Sequence, residues 1–216
     1  MANTKRTALA AGMLGVLGLA WLAGCSSTPS RVEMVDIDPD DAAAQAMSQY
    51  DANQDGKLAD DELRAVPGIL KWKQLYDSDG DGAVSEEEIV ARLEKWQSDQ
   101  LGFRAISANV TMNGRPVSGV RISLIPETYL GVAIKPAFGL TNGNGYAVLT
   151  VAPEDLPDAI KERGIRFNGV YPGTYKIAIQ GDKGKLPDTT RDNLPLGDEI
   201  ARDTVNSSIS IALSSR

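Results

Sequence analysis

Two segments decide how this chain is read: Asp51-Ala-Asn53-Gln-Asp55-Gly56-Lys57-Leu58-Ala59-Asp-Asp-Glu62 and Asp77-Ser-Asp79-Gly-Asp81-Gly82-Ala83-Val84-Ser85-Glu-Glu-Glu88. Both put an oxygen-bearing side chain at positions 1, 3 and 5, Gly at 6, an aliphatic residue at 8 and Glu at 12. A hard cation such as calcium takes about six to eight oxygens, so a short segment must fold back on itself to surround one. Gly56 and Gly82 permit the sharp reversal that a Cβ would resist.

On these residues the stretch resembles paired EF-hands. The resemblance implies that Asp51, Asn53, Asp55 and Glu62 ligate one Ca2+ and Asp77, Asp79, Asp81 and Glu88 another, with Lys57 and Ala83 each lending a backbone carbonyl. It also implies that Leu58 and Val84 pair across a short ladder joining the loops. Position 9 is Ser85 in the second loop, where it can hold a water ligand, but Ala59 in the first, and Asn53 is neutral where Asp79 is charged. The second site is therefore expected to bind more tightly. Dockerin loops have a related pattern but usually end in Asp. The segment between the loops, Leu63 to Tyr76, is short for a helix, a linker and a second helix, so a trimmed pair is expected.

Outward from the loops, Asp38-Pro39 supplies a cap and a first-turn Pro, and Ala43, Met47 and Tyr50 recur at helical spacing up to Asp51. A short helix is expected from Asp60 to about Val66, stopped by Pro67-Gly68. Ile69, Trp72 and Tyr76 mark the helix entering the second loop. Ser85 to Glu88 doubles as a capping box, and Ile89, Leu93 and Trp96 continue one face to about Gln100. Trp72 and Trp96 are read as the small core of this unit.

Residues 1–24 read as an export signal: Lys5 and Arg6 precede an apolar run from Thr7 to Leu22. Leu22-Ala23-Gly24-Cys25 resembles the lipobox of bacterial lipoproteins. That resemblance implies cleavage before Cys25, lipidation of Cys25, and a membrane partner through the lipid anchor. Cys25 is the sole cysteine, so no intramolecular disulfide can form. Residues 25–35 read as the lipidated Cys and a tether, whose ten residues after Cys25 reach roughly 30 to 35 Å when extended. Ser26 in place of Asp points to the outer membrane, giving an expected location in the bacterial cell envelope. After cleavage, 20 basic against 29 acidic residues give a net charge of −9, which disfavours nucleic acid as a partner.

Beyond Gly102 the period changes from helical to alternating. Ala105 to Met112 leads into Asn113-Gly114, a strong hairpin signal, and Val120, Ile122 and Leu124 alternate with polar residues. Asn142-Gly-Asn-Gly145 opens onto Tyr146 to Val151; Tyr171 to Ile179 and Ser208 to Leu213 complete the strands, and Glu154 to Arg163 reads as a helix. This pattern predicts an antiparallel β-sandwich. Asn113-Gly-Arg-Pro116-Val-Ser-Gly119, Thr141-Asn-Gly-Asn-Gly145-Tyr and Tyr171-Pro-Gly173-Thr-Tyr175 resemble the carboxypeptidase-regulatory-like, transthyretin-like sandwiches of envelope proteins. Such modules are usually structural or adhesive.

The chain has no His, which excludes a Ser-His-Asp triad and His-ligated zinc or iron. No catalytic residues are assigned, and the protein is expected not to be an enzyme. The expected class is α+β multidomain: signal 1–24, tether 25–35, a small helical EF-hand pair over 36–101, and an antiparallel β-sandwich over 102–216. Its expected role is calcium binding in the envelope. The alternative is adhesion, or binding of an envelope protein or glycan, by the sandwich, with Glu127 to Gly139 and Gly181 to Thr204 as surface and Tyr129 and Phe138 as contacts.

Overall fold

Helical and alternating periods divide the chain near Gly102, and the computed structural model has helices before that point and mainly strands after it. The structure describes residues 36–164, 166–181, 186, 196–204 and 207–214. The export signal, Cys25 and the tether lie outside them.

Helix α1 (Pro39–Tyr50) begins where Asp38 accepts the amides of Asp40 and Asp41, at 3.1 and 3.2 Å, with Pro39 in the first turn. The first loop follows and contains strand β1 (Lys57–Leu58). Three short helices then fill the space between the loops: α2 (Asp60–Leu63), α3 (Pro67–Lys71) and α4 (Lys73–Tyr76). The helix expected from Asp60 to about Val66 ends earlier, at Leu63, where the Ala65 and Val66 amides tighten onto the Glu62 and Leu63 carbonyls. Pro67 starts the next helix rather than ending this one, because its missing N–H is harmless at a first turn. The second entering helix is broken at Trp72, whose φ of −112° and ψ of 22° leave the helical region. The second loop contains β2 (Val84–Ser85) and leads into α5 (Glu86–Ser98) through the Ser85–Glu88 capping box. β1 and β2 pair antiparallel, Leu58 opposite Val84, and both side chains are fully buried.

The second region is an eight-stranded, strongly curled sheet. Its strands are β3 (Ile106–Met112), β4 (Arg115–Pro116), β5 (Arg121–Pro126), β6 (Ala137–Leu140), β7 (Tyr146–Val151), β8 (Gly173–Gln180), β9 (Gly197–Ile200) and β10 (Ser208–Leu213). They run in the order β10-β3-β7-β6-β5-β8-β9, with β4 as a hairpin on β3. The pairings are antiparallel except β10 with β3, which is parallel. β7 serves both leaves of the curl: Tyr146 to Leu149 pair with β3, and Thr150 and Val151 with β6. Alternation turns Ile106, Ala108, Val110, Ile122, Leu124 and Leu149 inward, all at most 2% exposed. The expected helix at 154–163 is a 3-10 turn (Pro153–Asp155) followed by α6 (Asp158–Glu162), separated by Pro157.

The described residues belong to one compact unit, and buried side chains of helices and strands form a single cluster. Helix α3 lies directly on β9. A Cβ on Gly197 would stand 2.4 Å from the Gly68 nitrogen, and one on Gly68 would stand 3.0 Å from the Asp198 carbonyl oxygen. Backbone thus meets backbone there: position 197 has no room for a Cβ, and one at position 68 would press on the strand.

Candidate metal centre

The two loops fold with the same internal bonds. At position 1, Asp51 Oδ2 accepts the Gly56 amide and Asp77 Oδ2 the Gly82 amide, each at 3.0 Å. At position 3, Asn53 Oδ1 accepts the Asp55 amide at 2.9 Å and Asp79 Oδ1 the Asp81 amide at 3.0 Å. At position 5, Asp55 Oδ1 and Asp81 Oδ1 accept the amides of Lys57 and Ala83, both at 2.9 Å. One oxygen each of Asp55, Asp77, Asp79 and Asp81 therefore holds the loop's shape, whereas Asp51 uses both, its Oδ1 accepting the Asp55 amide at 3.2 Å. Lys57 lies in β1, and Ala83 immediately precedes β2.

Position 12 fastens the loop ends together. Glu62 accepts the amides of Ala52 and Asn53 on Oε1, at 2.9 and 3.3 Å, and of Ala59 on Oε2, at 3.0 Å. Glu88 accepts from Ser78 and Asp79 on Oε1 and from the Ser85 amide and hydroxyl on Oε2. Burial would raise the Glu88 carboxyl, but these amide bonds outweigh it and hold the group below its ordinary value.

The loops differ in their remaining oxygens. In the second, one oxygen from each of Asp77, Asp79 and Asp81 lies within 4.8 Å of the others. Oxygens about 2.3 to 2.6 Å from one calcium ion stand no more than about 5.2 Å apart, so the three fit a single ion. Asp77 Oδ1 is buried without a hydrogen-bond partner, as an acceptor reserved for a cation would be. The Lys57 ammonium pairs with Asp81 Oδ2 and is the largest cause holding that carboxyl low. In the first loop the Asn53 amide donates to Asp55 Oδ2 at 2.9 Å, so the outer oxygen at position 5 is engaged in both loops, and the difference lies at position 1, where Asp51 Oδ1 accepts the Asp55 amide at 3.2 Å. Glu62, Glu88 and the first-loop acids stand outside the converging set, which among the described residues is Asp77, Asp79 and Asp81.

An EF-hand family model matches residues 44–67 and 74–92, both loops included. The helical half is an EF-hand region. No curated protein and no solved structure matches the chain. The EF-hand match and the acidic second loop together suggest calcium binding.

Residues outside the loops tie the EF-hand region to the sheet, and sequence reading missed them. Tyr50, just before the first loop, donates its hydroxyl to Glu127 Oε2 at 2.7 Å. Tyr76, just before the second, donates to Glu199 Oε2 at 2.5 Å. Trp72 Nε1 donates to Asp198 Oδ1 at 2.7 Å, and Lys71 pairs with the other oxygen at 2.5 Å. Arg92 on α5 bonds Glu199 and, with both terminal nitrogens, Asp203 at 2.7 and 2.9 Å. Glu127, Asp198 and Glu199 are each at most 1% exposed. Burial raises the carboxyls of Glu127 and Glu199 despite these donors. The available signal was a repeated Tyr at the position preceding each loop. Tyr129, expected as a surface contact, is 1% exposed and bonds Thr174, so it cannot meet a partner.

Proposed function

We propose that the protein is a non-enzymatic, calcium-binding lipoprotein of the bacterial cell envelope, probing no substrate and holding the ion in its EF-hand region beside a carboxypeptidase-regulatory-like β-domain. The observation that carries this reading is the second loop, with three carboxylate oxygens within 4.8 Å and Asp77 Oδ1 buried without a partner. Asp77, Asp79 and Asp81 would hold the ion there, joined by Glu88 and the Ala83 carbonyl; Asp51, Asn53, Asp55, Glu62 and the Lys57 carbonyl would form the weaker site. Bound calcium would supply two positive charges to a cluster of mutually repelling carboxylates. The chain's own part is to hold these side chains in place through the loop amides, so that little rearrangement is needed on binding.

Calorimetry on the purified full chain tests this. Heat saturating at roughly 10⁻⁴ to 10⁻³ M calcium is expected, the range of extracellular modules. No heat up to about 10 mM, roughly tenfold above the top of that range, overturns it. The anchor is tested separately: membrane-extracted protein should begin at an acylated Cys25, and Cys25→Ala should move it to the soluble fraction.

A second reading makes the sheet a binding surface for an envelope protein or glycan. It is supported by Phe138, Leu140, Tyr146 and Val148, exposed on adjacent strands at 38 to 64%. Retention of Phe138→Ser/Leu140→Ser on an envelope-fraction column with chelator, equal to wild type, would remove that reading.

A further inference from the structure

The EF-hand region and the sheet meet through buried acids whose donors sit at matched places relative to the two loops. Tyr50 and Tyr76 each directly precede the first ligand position of a loop, and each donates to a buried Glu of the sheet region. The two acceptors lie on either side of one strand residue: Thr174 of β8 is paired with Glu199, and its carbonyl accepts the Glu127 amide at 3.0 Å. The second loop is tied on its other side too. Arg92 lies one helical turn beyond Glu88 and reaches the same Glu199 that accepts from Tyr76. The helices entering and leaving that loop therefore converge on one carboxylate of an edge strand.

We propose that these tyrosine–glutamate contacts make the edge of the β-domain a sensor of loop occupancy, with Tyr76, Arg92 and Glu199 as the principal positioning residues. This rests on the calcium reading above. A ligand fixing Asp77 fixes the backbone of the adjacent Tyr76, and a ligand fixing Glu88 fixes the helix carrying Arg92. Occupancy of the second loop thus sets the spacing of the two donors over Glu199. By linkage, docking of Glu199 must favour the loaded loop by the same factor. The helix entering the first loop reaches the sheet region through uncharged side chains: Tyr50 on Glu127, beside Lys176, which pairs with Glu127 at 3.2 Å, and Gln49, which accepts the Thr128 hydroxyl at 2.6 Å. Its hold on the sheet is correspondingly weaker.

The experiment is hydrogen exchange with mass spectrometry on the purified full chain, in calcium chloride and in chelator, alongside calcium titration. In wild type, calcium should slow exchange of residues 173–180 and 197–200 by about fivefold or more, the lower end of ordinary coupling. Tyr76→Phe should remove that slowing and weaken calcium binding by a similar factor, while Tyr50→Phe should have the same effects to a smaller degree. Tyr175→Phe is the control: its hydroxyl bonds the Tyr171 carbonyl at 2.7 Å within the sheet region, so its loss should leave the calcium-induced slowing intact. Should Tyr76→Phe fail to fold, Tyr50→Phe and the wild-type comparison still decide. Calcium binding in wild type with unchanged exchange in these strands overturns the coupling and leaves the calcium site standing. So does full slowing in both Tyr→Phe variants. Absence of calcium binding in wild type overturns both readings.

Discussion

The two hands share a loop design yet differ at nearly every place where the design touches charge or its neighbours. At position 3 the first has Asn53, whose amide closes onto Asp55, and the second has Asp79, one of three converging carboxylates. At position 4 the first places Gln54 at a φ of 60°, where the second has Gly80 at 75°. A side chain in that region costs about 1 to 2 kcal/mol that glycine avoids. One turn beyond the final Glu, the first hand has the apolar Val66, fully buried, and the second has Arg92, 4% exposed and bonded to two acids. A repeat of sequence is thus not a repeat of environment: the second hand has both the converging carboxylates and the stronger electrostatic ties to the sheet.

The largest test of that contrast is Arg92→Met. It leaves Glu199 buried with only Tyr76 as a side-chain donor, and breaking such a pair costs roughly 3 to 5 kcal/mol. Val66→Ala, at the equivalent place in the first hand, should cost about 2 kcal/mol through lost burial. Denaturant midpoints read both, and a costlier Val66→Ala would reverse the ranking of the hands. Exchanging the charges at position 3 comes next. Asp79→Asn should weaken the tighter calcium step about tenfold, or 1.4 kcal/mol, and Asn53→Asp should tighten the weaker one. Titration of the double exchange should show the order of the sites inverted.

The smallest effect is on pH dependence, and its sign differs between the hands. Burial raises Glu127, beside the first hand, so its contribution is full below about pH 4.3 and is lost as pH rises through its folded value. The Arg92 bond lowers Asp203, beside the second hand, so its contribution is present above about pH 3.9 and is lost as pH falls through its folded value. Unfolding midpoints measured from neutral pH downward should therefore move in favour of wild type against Glu127→Gln. Against Asp203→Asn the wild-type advantage should disappear in strong acid.

The loops were legible because an oxygen-ligand pattern fixes residue type at set intervals; the Leu58–Val84 ladder was implied by the resemblance to paired EF-hands, and the Ser85–Glu88 cap by its own spacing. Strands β3, β5, β7, β8 and β10 were legible from alternation bounded by tight turns. β6 was missed because four residues with a central Gly139 carry too little pattern. β9 was missed for a different reason: Gly-Asp-Glu-Ile reads as a solvated turn unless Lys71, Trp72, Tyr76 and Arg92 are known to meet it. Those partners lie more than a hundred residues earlier, and local sequence does not encode distant donors. The break at Trp72 was hidden likewise, since its indole turns toward Asp198 and leaves the helical row.

Where Gly68 rests against Gly197, main chain lies on main chain with no side chain between to flex. A joint of that kind has no play. Any tilt of the short helix that carries Gly68 must be taken up by the strand beneath it, and one added methyl at Gly197 would act as a wedge that parts the two halves.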